Sequence, residues 1–246
     1  MTAGLEIDGS ETRPQALRPR FVIRMFQACV LLLLLSISIA FGGRWFGAQL
    51  ADAGHSEATT LREIVIGNNV LSVPDNAIRF AEARHDGIAQ RLDLYLRWPN
   101  LEGYSRETRN DFNHVDSSKQ IIFLSFEEQM TSRDMSNRFE TVYSKIIEPG
   151  PIEGPNGILF YRFKPEAGFG DEVLAVGHEE GQTLPFVARC LSGEAARQAL
   201  APCERDEVVG NDMSMTYRFP ASLLAEWRMM EHAVRDKAST LIRGPR

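Results

Sequence analysis

Residues 25–43, MFQACVLLLLLSISIAFGG, form an uncharged run of 19 residues between Arg24 and Arg44. As a helix rising about 1.5 Å per residue, this run is roughly 28 Å long, which matches the hydrocarbon core of a bilayer. A short polar arm precedes the run, and sequence typical of one folded domain follows it. We therefore predict a transmembrane segment over residues 21–47.

The charges on either side of this segment predict its orientation. Four arginines precede its apolar run: Arg13, Arg18, Arg20 and Arg24. On the other side Arg44 lies close, and Asp52 and Glu57 are the next charged residues. Because positively charged flanks stay in the cytoplasm, we expect a bacterial inner-membrane protein with a cytoplasmic N-terminus and a periplasmic C-terminal domain.

A cleaved signal peptide is the alternative to an uncleaved signal anchor. The small residues at 38–40 and at 51–53 resemble cleavage sites. Cleavage at the first site would fall within the apolar run, before its natural end. The second site lies well beyond the run, and Arg44, Trp45 and Phe46 separate the two. We therefore favour the anchor, and both interpretations place the large domain outside the cytoplasm.

Small residues recur along the predicted span at intervals of four, three and four positions: Ser36, Ala40, Gly43 and Gly47. Helical geometry aligns such positions on one face, and faces of small residues let membrane helices approach closely. This face predicts packing against another membrane helix. The alternative is that small residues are common near helix ends and that Gly42-Gly43 simply ends the helix.

The rest of the chain is expected to comprise a disordered cytoplasmic tail at 1–20, a polar linker at 48–60 and one periplasmic α+β domain at 61–246. The tail has few apolar residues and no periodicity, whereas the domain is long enough to bury a core. The formal net charge is -6, and the exported part is more acidic still. Since binding to phosphates needs a basic stripe, no nucleic-acid partner is expected.

Residue patterns in the domain predict a mostly antiparallel sheet covered by helices. Alternating or apolar runs predict strands at 62–66, 70–73, 91–97, 119–126, 158–163, 172–176, 184–190 and 213–219. Capping residues and helical spacing predict helices at 75–84, from Ser132 or Asp134 to 146, and at 220–243. Gly67-Asn68-Asn69 suits a tight hairpin turn, and Trp227 is expected to be the largest buried side chain of the last helix.

A long polar stretch at 98–116 is the candidate binding loop of the domain. It contains three aromatic residues: Trp98, Tyr104 and Phe112. Loops of this length inside compact domains are usually functional or poorly ordered. The alternative is an insertion whose aromatic side chains pack onto the core.

Two of the three cysteines, Cys190 and Cys203, belong to the exported domain, while Cys29 lies in the span. A cysteine pair in an exported domain most simply forms a disulfide. A redox-active pair would need CxxC spacing at a helix N-terminus, which this pair lacks. We predict a structural disulfide between Cys190 and Cys203.

Catalytic motifs are missing from the sequence, which has no HExxH, GxSxG, Walker, GxGxxG or CxxC pattern. No catalytic residue, cofactor or metal site is therefore predicted. The five histidines are scattered. A cluster of His114, Asp116 and His178 in one pocket would indicate a metal-dependent enzyme or a hydrolase instead.

The C-terminal part of the chain carries a family resemblance. Its residues are Cys190, Pro202-Cys203, the strand 215–219 and the helix opening Leu223-Leu224-Ala225-Glu226-Trp227. This pattern resembles uncharacterised membrane-anchored proteins of Proteobacteria. The resemblance implies an exported, disulfide-bonded domain, and it transfers no site because that group has no assigned activity.

Two classes of function remain. The first is a non-enzymatic accessory or assembly component of an envelope or inner-membrane complex, with a periplasmic domain that binds other membrane or periplasmic proteins. The second is an exported hydrolase or metal-dependent enzyme with a site assembled from distant residues. The anchor, the small-residue face and the missing motifs favour the first class, and an exposed apolar patch near Trp98 and Tyr104 would support it further.

Overall fold

A computed structural model of the chain describes residues 19–51, 54–113, 120–128 and 133–243. The chain forms two compact units, residues 1–51 and 52–246. The first unit contains helix α1, Pro19–Ala51. The predicted disordered tail lies outside the described residues except for Pro19 and Arg20, which are helical.

Helix α1 is long and apolar enough to cross a membrane over Ile23–Gly43, where its mean hydropathy is 2.2. A signal sequence meets the same criterion. Ser36, Ala40 and Gly43 are exposed on the helix, while the side chain at position 47 lies outside the description. The helix runs through Gly42-Gly43 and ends at Ala51, since glycine weakens a helix without terminating it.

The second unit is an α+β domain with a four-stranded sheet in the order β12-β2-β1-β3 and an eight-stranded sheet in the order β4-β5-β11-β10-β9-β8-β7-β6. All the strand pairs are antiparallel except β1 with β3. The strands are β1 Leu61–Ile66, β2 Asn69–Pro74, β3 Gly87–Ile88, β4 Arg91–Arg97, β5 Ile121–Glu128, β6 Ile152–Glu153, β7 Leu159–Arg162, β8 Glu172–Gly177, β9 Phe186–Leu191, β10 Cys203–Val209, β11 Met213–Phe219 and β12 Ile242–Arg243. The helices are α2 Arg109–Phe112, α3 Met135–Arg138, α4 Ser144–Ile146, α5 Gly193–Gln198 and α6 Trp227–Leu241.

The structure confirms the predicted α+β class and most of the predicted strands. The β1–β2 hairpin turns at Gly67, which adopts a positive φ of 53°. Strand β11 has the predicted bounds, and Asp134 caps α3 by accepting a hydrogen bond from the Asn137 backbone N–H at 2.9 Å. Alternation and capping therefore identified these elements because each is determined by neighbouring residues.

The predicted helix at 75–84 is wrong, because two short 3₁₀ turns, Asp75–Ala77 and Ala81–Ala83, occupy this stretch. Between them Ile78 is buried and forms a β-bridge to Leu94 of β4. The Arg79 backbone N–H then donates to the Asp93 carbonyl at 3.0 Å. Pairing with the edge of β4 satisfies backbone groups that a helix would otherwise have satisfied locally.

Two other helix predictions need adjustment. Residues 135–146 form α3, a π-helical turn at Phe139–Tyr143 and α4, in place of one regular helix. The last predicted helix begins as a 3₁₀ turn at Ala221–Glu226, continues as α6 and gives way to β12. Strand β10, which places charged residues on both faces, was not predicted at all.

Residues 54–60, predicted as part of a linker with little to order it, are instead held against the domain. The backbone N–H groups of Asn76 and Asp75 donate to the carbonyls of Ala58 and Thr60 at 2.9 and 3.0 Å. Arg84 donates to the Gly54 carbonyl. The linker prediction is therefore corrected over these residues, since its backbone is paired by tertiary contacts that the sequence does not display.

The main core lies between the two sheets and α6. Trp227 of α6 is 1% exposed, and its ring centroid lies 5.0 Å from that of Phe186. A side chain at Gly177 would collide with the Trp227 ring, since a Cβ there would lie 2.8 Å from it. Trp227 is therefore a principal part of the core, as predicted.

The eight-stranded sheet is joined weakly at its centre, between β9 and β10. These strands pair at two positions, Cys203 with Cys190 and Glu204 with Arg189. The predicted disulfide between Cys190 and Cys203 is present at the first of these positions, with a Cα–Cα distance of 4.0 Å. The disulfide therefore links two half-sheets where the hydrogen-bonded ladder is short.

We expect replacement of both Cys190 and Cys203 by alanine to lower the free energy of unfolding by about 3 kcal/mol, the chain-entropy value for a loop of this size. The measurement is urea unfolding of the full-length protein in mild detergent. Cys29→Ala is the matched control, because Cys29 is unpaired and exposed on α1. A loss below about 1 kcal/mol in the double variant would show that the half-sheets are held by other contacts.

Candidate functional site

The three aromatic residues of the candidate binding loop are buried. Trp98, Tyr104 and Phe112 are 6%, 1% and 5% exposed. Tyr104 and Phe112 pack with Tyr95 and Ile121 in a small apolar cluster on one face of β4 and β5. The structure therefore agrees with the alternative interpretation of this loop, that its aromatic side chains pack onto the core.

His55 closes this aromatic cluster. Its ring stacks on Tyr104 with a centroid distance of 4.4 Å and an interplanar angle of 7°. Its Nδ1 lies 3.0 Å from the Tyr95 hydroxyl and its Nε2 lies 3.1 Å from Asn113 Oδ1. Each ring nitrogen thus has a partner, and the histidine joins the first residues of the domain to the sheet.

A groove lies on the sheet face opposite α6. Alternation along β10 directs Arg205 and Glu207 towards α6 and directs Glu204 and Asp206 to the other face. We call the cavity on this second face the open-face groove; its volume is about 390 Å³. Its apolar wall consists of Met135, Val142, Tyr143, Ile146 and Phe169, and its polar floor consists of Arg138, Arg189, Glu204, Asp206 and Thr216.

Two ion pairs form the floor of the open-face groove. Arg138 Nη2 donates to both carboxylate oxygens of Asp206 at 2.8 and 2.7 Å. Arg189 donates to Glu204 and lies over the Phe169 ring, 5.3 Å from its centroid. Burial raises the pKa of Asp206, although Arg138 opposes this shift. Because both cations are paired, these charges hold the shape of the groove.

The groove continues into a second cavity of about 180 Å³, which shares Arg189 and Glu204 with the first. Arg218 of β11 lines this extension and is exposed. Within the described part of the chain its side chain makes no hydrogen bond or ion pair, and Glu172 and Glu204 line the same cavity. The combined depression is thus elongated, with an apolar wall at the Val142 end and a free cation at the Arg218 end.

A buried charged cluster occupies the gap where β9 and β10 separate. Arg205, which is 2% exposed, donates to Glu207 at 3.0 Å, to Glu231 of α6 at 2.7 Å, to Ser136 Oγ at 2.9 Å and to the Val187 carbonyl at 3.0 Å. Arg235 donates to the same two carboxylates. Burial raises the pKa of Glu231, an effect that Arg205 partly offsets. The cluster replaces the missing backbone ladder with side-chain bonds.

The structure shows no catalytic constellation among its described residues. His114 and Asp116, whose clustering with His178 would indicate the enzyme alternative, lie outside those residues. His178 is exposed, and its backbone carbonyl accepts a hydrogen bond from Arg228 at 3.2 Å. Within the described ranges no group of three or more His, Cys, Asp or Glu side chains could hold a metal ion.

Sequence reasoning missed the residues of the open-face groove. Arg138, Arg189, Asp206 and Arg218 come from three strands and a helix, so no short motif contains them. The one local signal was the segment CERDEVV at 203–209, whose charges alternate between faces. Strand patterns normally require an apolar face, and this segment buries an ion-pair cluster in its place.

Comparisons with known proteins give a distant likeness in fold. No family model and no curated protein matches the chain. Similar solved structures include an immunity protein of the Stenotrophomonas maltophilia type IV secretion system, with a TM-score of 0.49 and 14% identity, covering 78% of this chain and 96% of that one. The Neisseria meningitidis iron-regulated outer membrane lipoprotein FrpD gives a TM-score of 0.41 and 11% identity, covering 76% and 97%. Similarity at this level transfers neither residues nor roles.

Proposed function

We propose that this chain is a non-enzymatic protein of the bacterial inner membrane whose periplasmic domain binds a partner protein through the open-face groove. Helix α1 serves as an uncleaved signal anchor in this proposal. The observation that carries the proposal is the elongated groove, which combines an accessible apolar wall with paired charges. Protein-binding surfaces combine these features, with apolar contacts for affinity and charges for orientation.

Recognition fits the groove better than catalysis does. Val142 on its wall is 43% exposed, although it is a large apolar side chain. The arginines of the floor already have carboxylate partners, and a site for general acid–base work needs a titratable group within reach of a reacting atom. Within the described residues no histidine lines the groove.

The expected occupant is an extended segment of another protein. The open-face groove of about 390 Å³ and its adjoining cavity of about 180 Å³ together offer more space than one side chain fills. We expect the segment to place an apolar side chain against Val142 and Ile146 and an acidic side chain at Arg218. Both contacts follow from complementarity, because Val142 exposes apolar surface and Arg218 is an unpaired cation.

The anchor offers a second contact in the same assembly. Ser36, Ala40, Gly43 and Gly47 would pack against a membrane helix of the partner or of another subunit. The chain would then act as an accessory or assembly component of an envelope complex. The resemblance to membrane-anchored proteins of Proteobacteria is in keeping with this assignment, which remains part of the proposal.

The experiment uses the full-length chain in its native membrane. A photo-crosslinking amino acid at position 142 captures the occupant of the groove, and mass spectrometry identifies it. Affinity is then measured between the two purified proteins. We expect Val142→Asp to weaken binding at least about tenfold, because a charged carboxylate replaces an apolar contact.

Met229→Asp is the matched control for this substitution. Met229 is 54% exposed on α6, on the other side of the sheet, so the same change in charge should leave affinity unaltered. Equal effects of the two substitutions, or full binding by Val142→Asp, would exclude the groove as the binding site. A purified protein that hydrolyses a substrate at a site containing His178 would instead establish the enzyme alternative.

A further inference from the structure

One buried polar side chain of the open-face groove lacks a hydrogen-bond partner among the residues that the structure describes. Tyr143 lines the groove and is only 6% exposed. The hydroxyl of Tyr217, on the other face of the sheet, also lacks a partner but is sealed from solvent. The Tyr143 hydroxyl is not sealed in this way, so it belongs to the small part of the residue that faces the groove. Because buried polar groups normally have a partner, this hydroxyl points to a ligand.

The backbone around Tyr143 places its side chain in the groove wall. Residues Phe139–Tyr143 form a π-helical turn between α3 and α4, and turns of this kind occur frequently at functional sites. The centroid of the Tyr143 ring lies 6.4 Å from that of Phe163, and the Arg138 guanidinium lies 6.0 Å from it. Val142, the exposed apolar residue of the wall, belongs to the same turn. One short segment therefore supplies both an apolar contact and a hydroxyl.

The charged groups around Tyr143 already have partners. Arg138 is paired with Asp206, and Arg189 is paired with Glu204. A charged ligand group at this point would have to compete with these ion pairs, which is costly where the charges are partly buried. Burial raises the pKa of Tyr143, and Arg138 is the first group that opposes this shift. The hydroxyl therefore keeps its proton at neutral pH and offers a donor to an uncharged acceptor.

We propose that the Tyr143 hydroxyl donates a hydrogen bond to a main-chain carbonyl oxygen of the extended segment that occupies the open-face groove. Such a segment presents a neutral carbonyl at every residue, so it satisfies the hydroxyl without disturbing the ion pairs. Thr216, which is half-buried in the floor, adds a hydroxyl that also bonds to none of the described residues. This inference rests on the function proposed above and specifies that the groove recognises the backbone of its partner as well as its side chains.

The test uses N,4-dimethylpentanamide, a neutral molecule with one amide group and an apolar end like that of leucine. The full-length protein in detergent carries ¹³C in its methionine methyl groups. Met135 lines the groove, and the exposed Met229 lies on α6 and serves as the reference. On titration with this amide we expect a saturable shift of the Met135 methyl signal and an unchanged Met229 signal.

Two tyrosine substitutions measure the contribution of the hydroxyl. Tyr143→Phe is expected to weaken binding of the amide about fivefold to tenfold, because it removes one hydrogen bond and preserves the ring. Tyr161→Phe is the matched control, since Tyr161 packs against the same apolar cluster without lining the groove. This control should leave binding unchanged. Equal weakening by the two substitutions would overturn the proposal.

The carbonyl of the amide reports the hydrogen bond directly. With ¹³C at this carbon, we expect a downfield shift of its signal on binding to the wild-type protein and loss of that shift with Tyr143→Phe. Absence of a saturable shift at Met135 would overturn the inference, and crosslinking at position 142 would then decide separately whether the groove binds a partner. If Val142→Asp abolished binding of the amide while Tyr143→Phe changed neither affinity nor the carbonyl signal, this inference alone would fail.

Discussion

Arg205→Met is expected to lower the free energy of unfolding by about 3–5 kcal/mol, the usual cost of removing one partner from a buried ion pair. Methionine preserves much of the side-chain volume but removes the charge. Of the two arginines that now pair with Glu207 and Glu231, only the half-exposed Arg235 remains. It also removes the donor to the Val187 carbonyl in the gap between β9 and β10. Urea unfolding of the full-length protein in detergent measures the loss.

The loss should depend on pH in a specified direction. The pKa of Glu231 is raised in the folded protein, chiefly by burial, and Arg205 is the first group that lowers it. Without Arg205 this pKa rises further, so the folded variant binds a proton more readily than the unfolded chain. A carboxyl group whose pKa is raised in the folded state stabilises the fold at pH values below its ordinary pKa of 4.5. This stabilisation is lost as the pH increases. The destabilisation should therefore be larger at neutral pH than near pH 4.5.

Arg197→Met is the matched control for this prediction. Arg197 pairs with Glu194 on α5, where both side chains are more than 60% exposed. Pairs of this kind contribute at most about 1 kcal/mol. Similar losses in the two variants, or a loss in Arg205→Met that grows towards acidic pH, would contradict the role assigned to the buried cluster.

Trp227→Ala is expected to lower the free energy of unfolding by a similar amount, about 3–5 kcal/mol, because it opens a cavity in the main core. The ring is 1% exposed and packs against Phe186 and the backbone at Gly177. Its Nε1–H also donates to the Asn156 carbonyl at 3.1 Å, and alanine leaves that acceptor without this bond. The same unfolding experiment measures the effect.

Trp227→Phe separates the two contributions. Phenylalanine refills part of the cavity and still lacks the N–H donor, so its loss should fall clearly below that of alanine. If the alanine variant lost less than about 1 kcal/mol, α6 would not be a principal part of the core.

The strands and the disulfide were predictable from sequence because their signals are local. Alternation in Met213–Phe219 identifies a half-buried strand without reference to any other part of the chain. Cys190 and Cys203 were paired by their number and by the predicted export of the domain, and they face each other on adjacent strands. In both cases the deciding information lies in a few neighbouring residues or in composition.

The candidate site was not predictable in the same way. In the sequence, the aromatic residues of 98–116 look accessible for binding. In the structure His55 and the sheet enclose them, through contacts between residues some 40 to 60 positions apart in the chain. The open-face groove is lined by residues of α3, β9, β10 and β11, which only the order of strands in the whole sheet brings together. Arg205, the residue that fills the gap, is charged and was therefore not expected in a core.

The measurement that tests the central claim most directly is the topology of the chain in cells. Tags at both termini are followed after protease is added outside intact spheroplasts, and the mass of the membrane-bound chain is determined. We expect an uncleaved chain of 27.6 kDa plus the tags. Its C-terminal tag should be removed by protease and its N-terminal tag protected. A shortened, soluble chain or a protected C-terminal tag would contradict a membrane-anchored periplasmic binding domain.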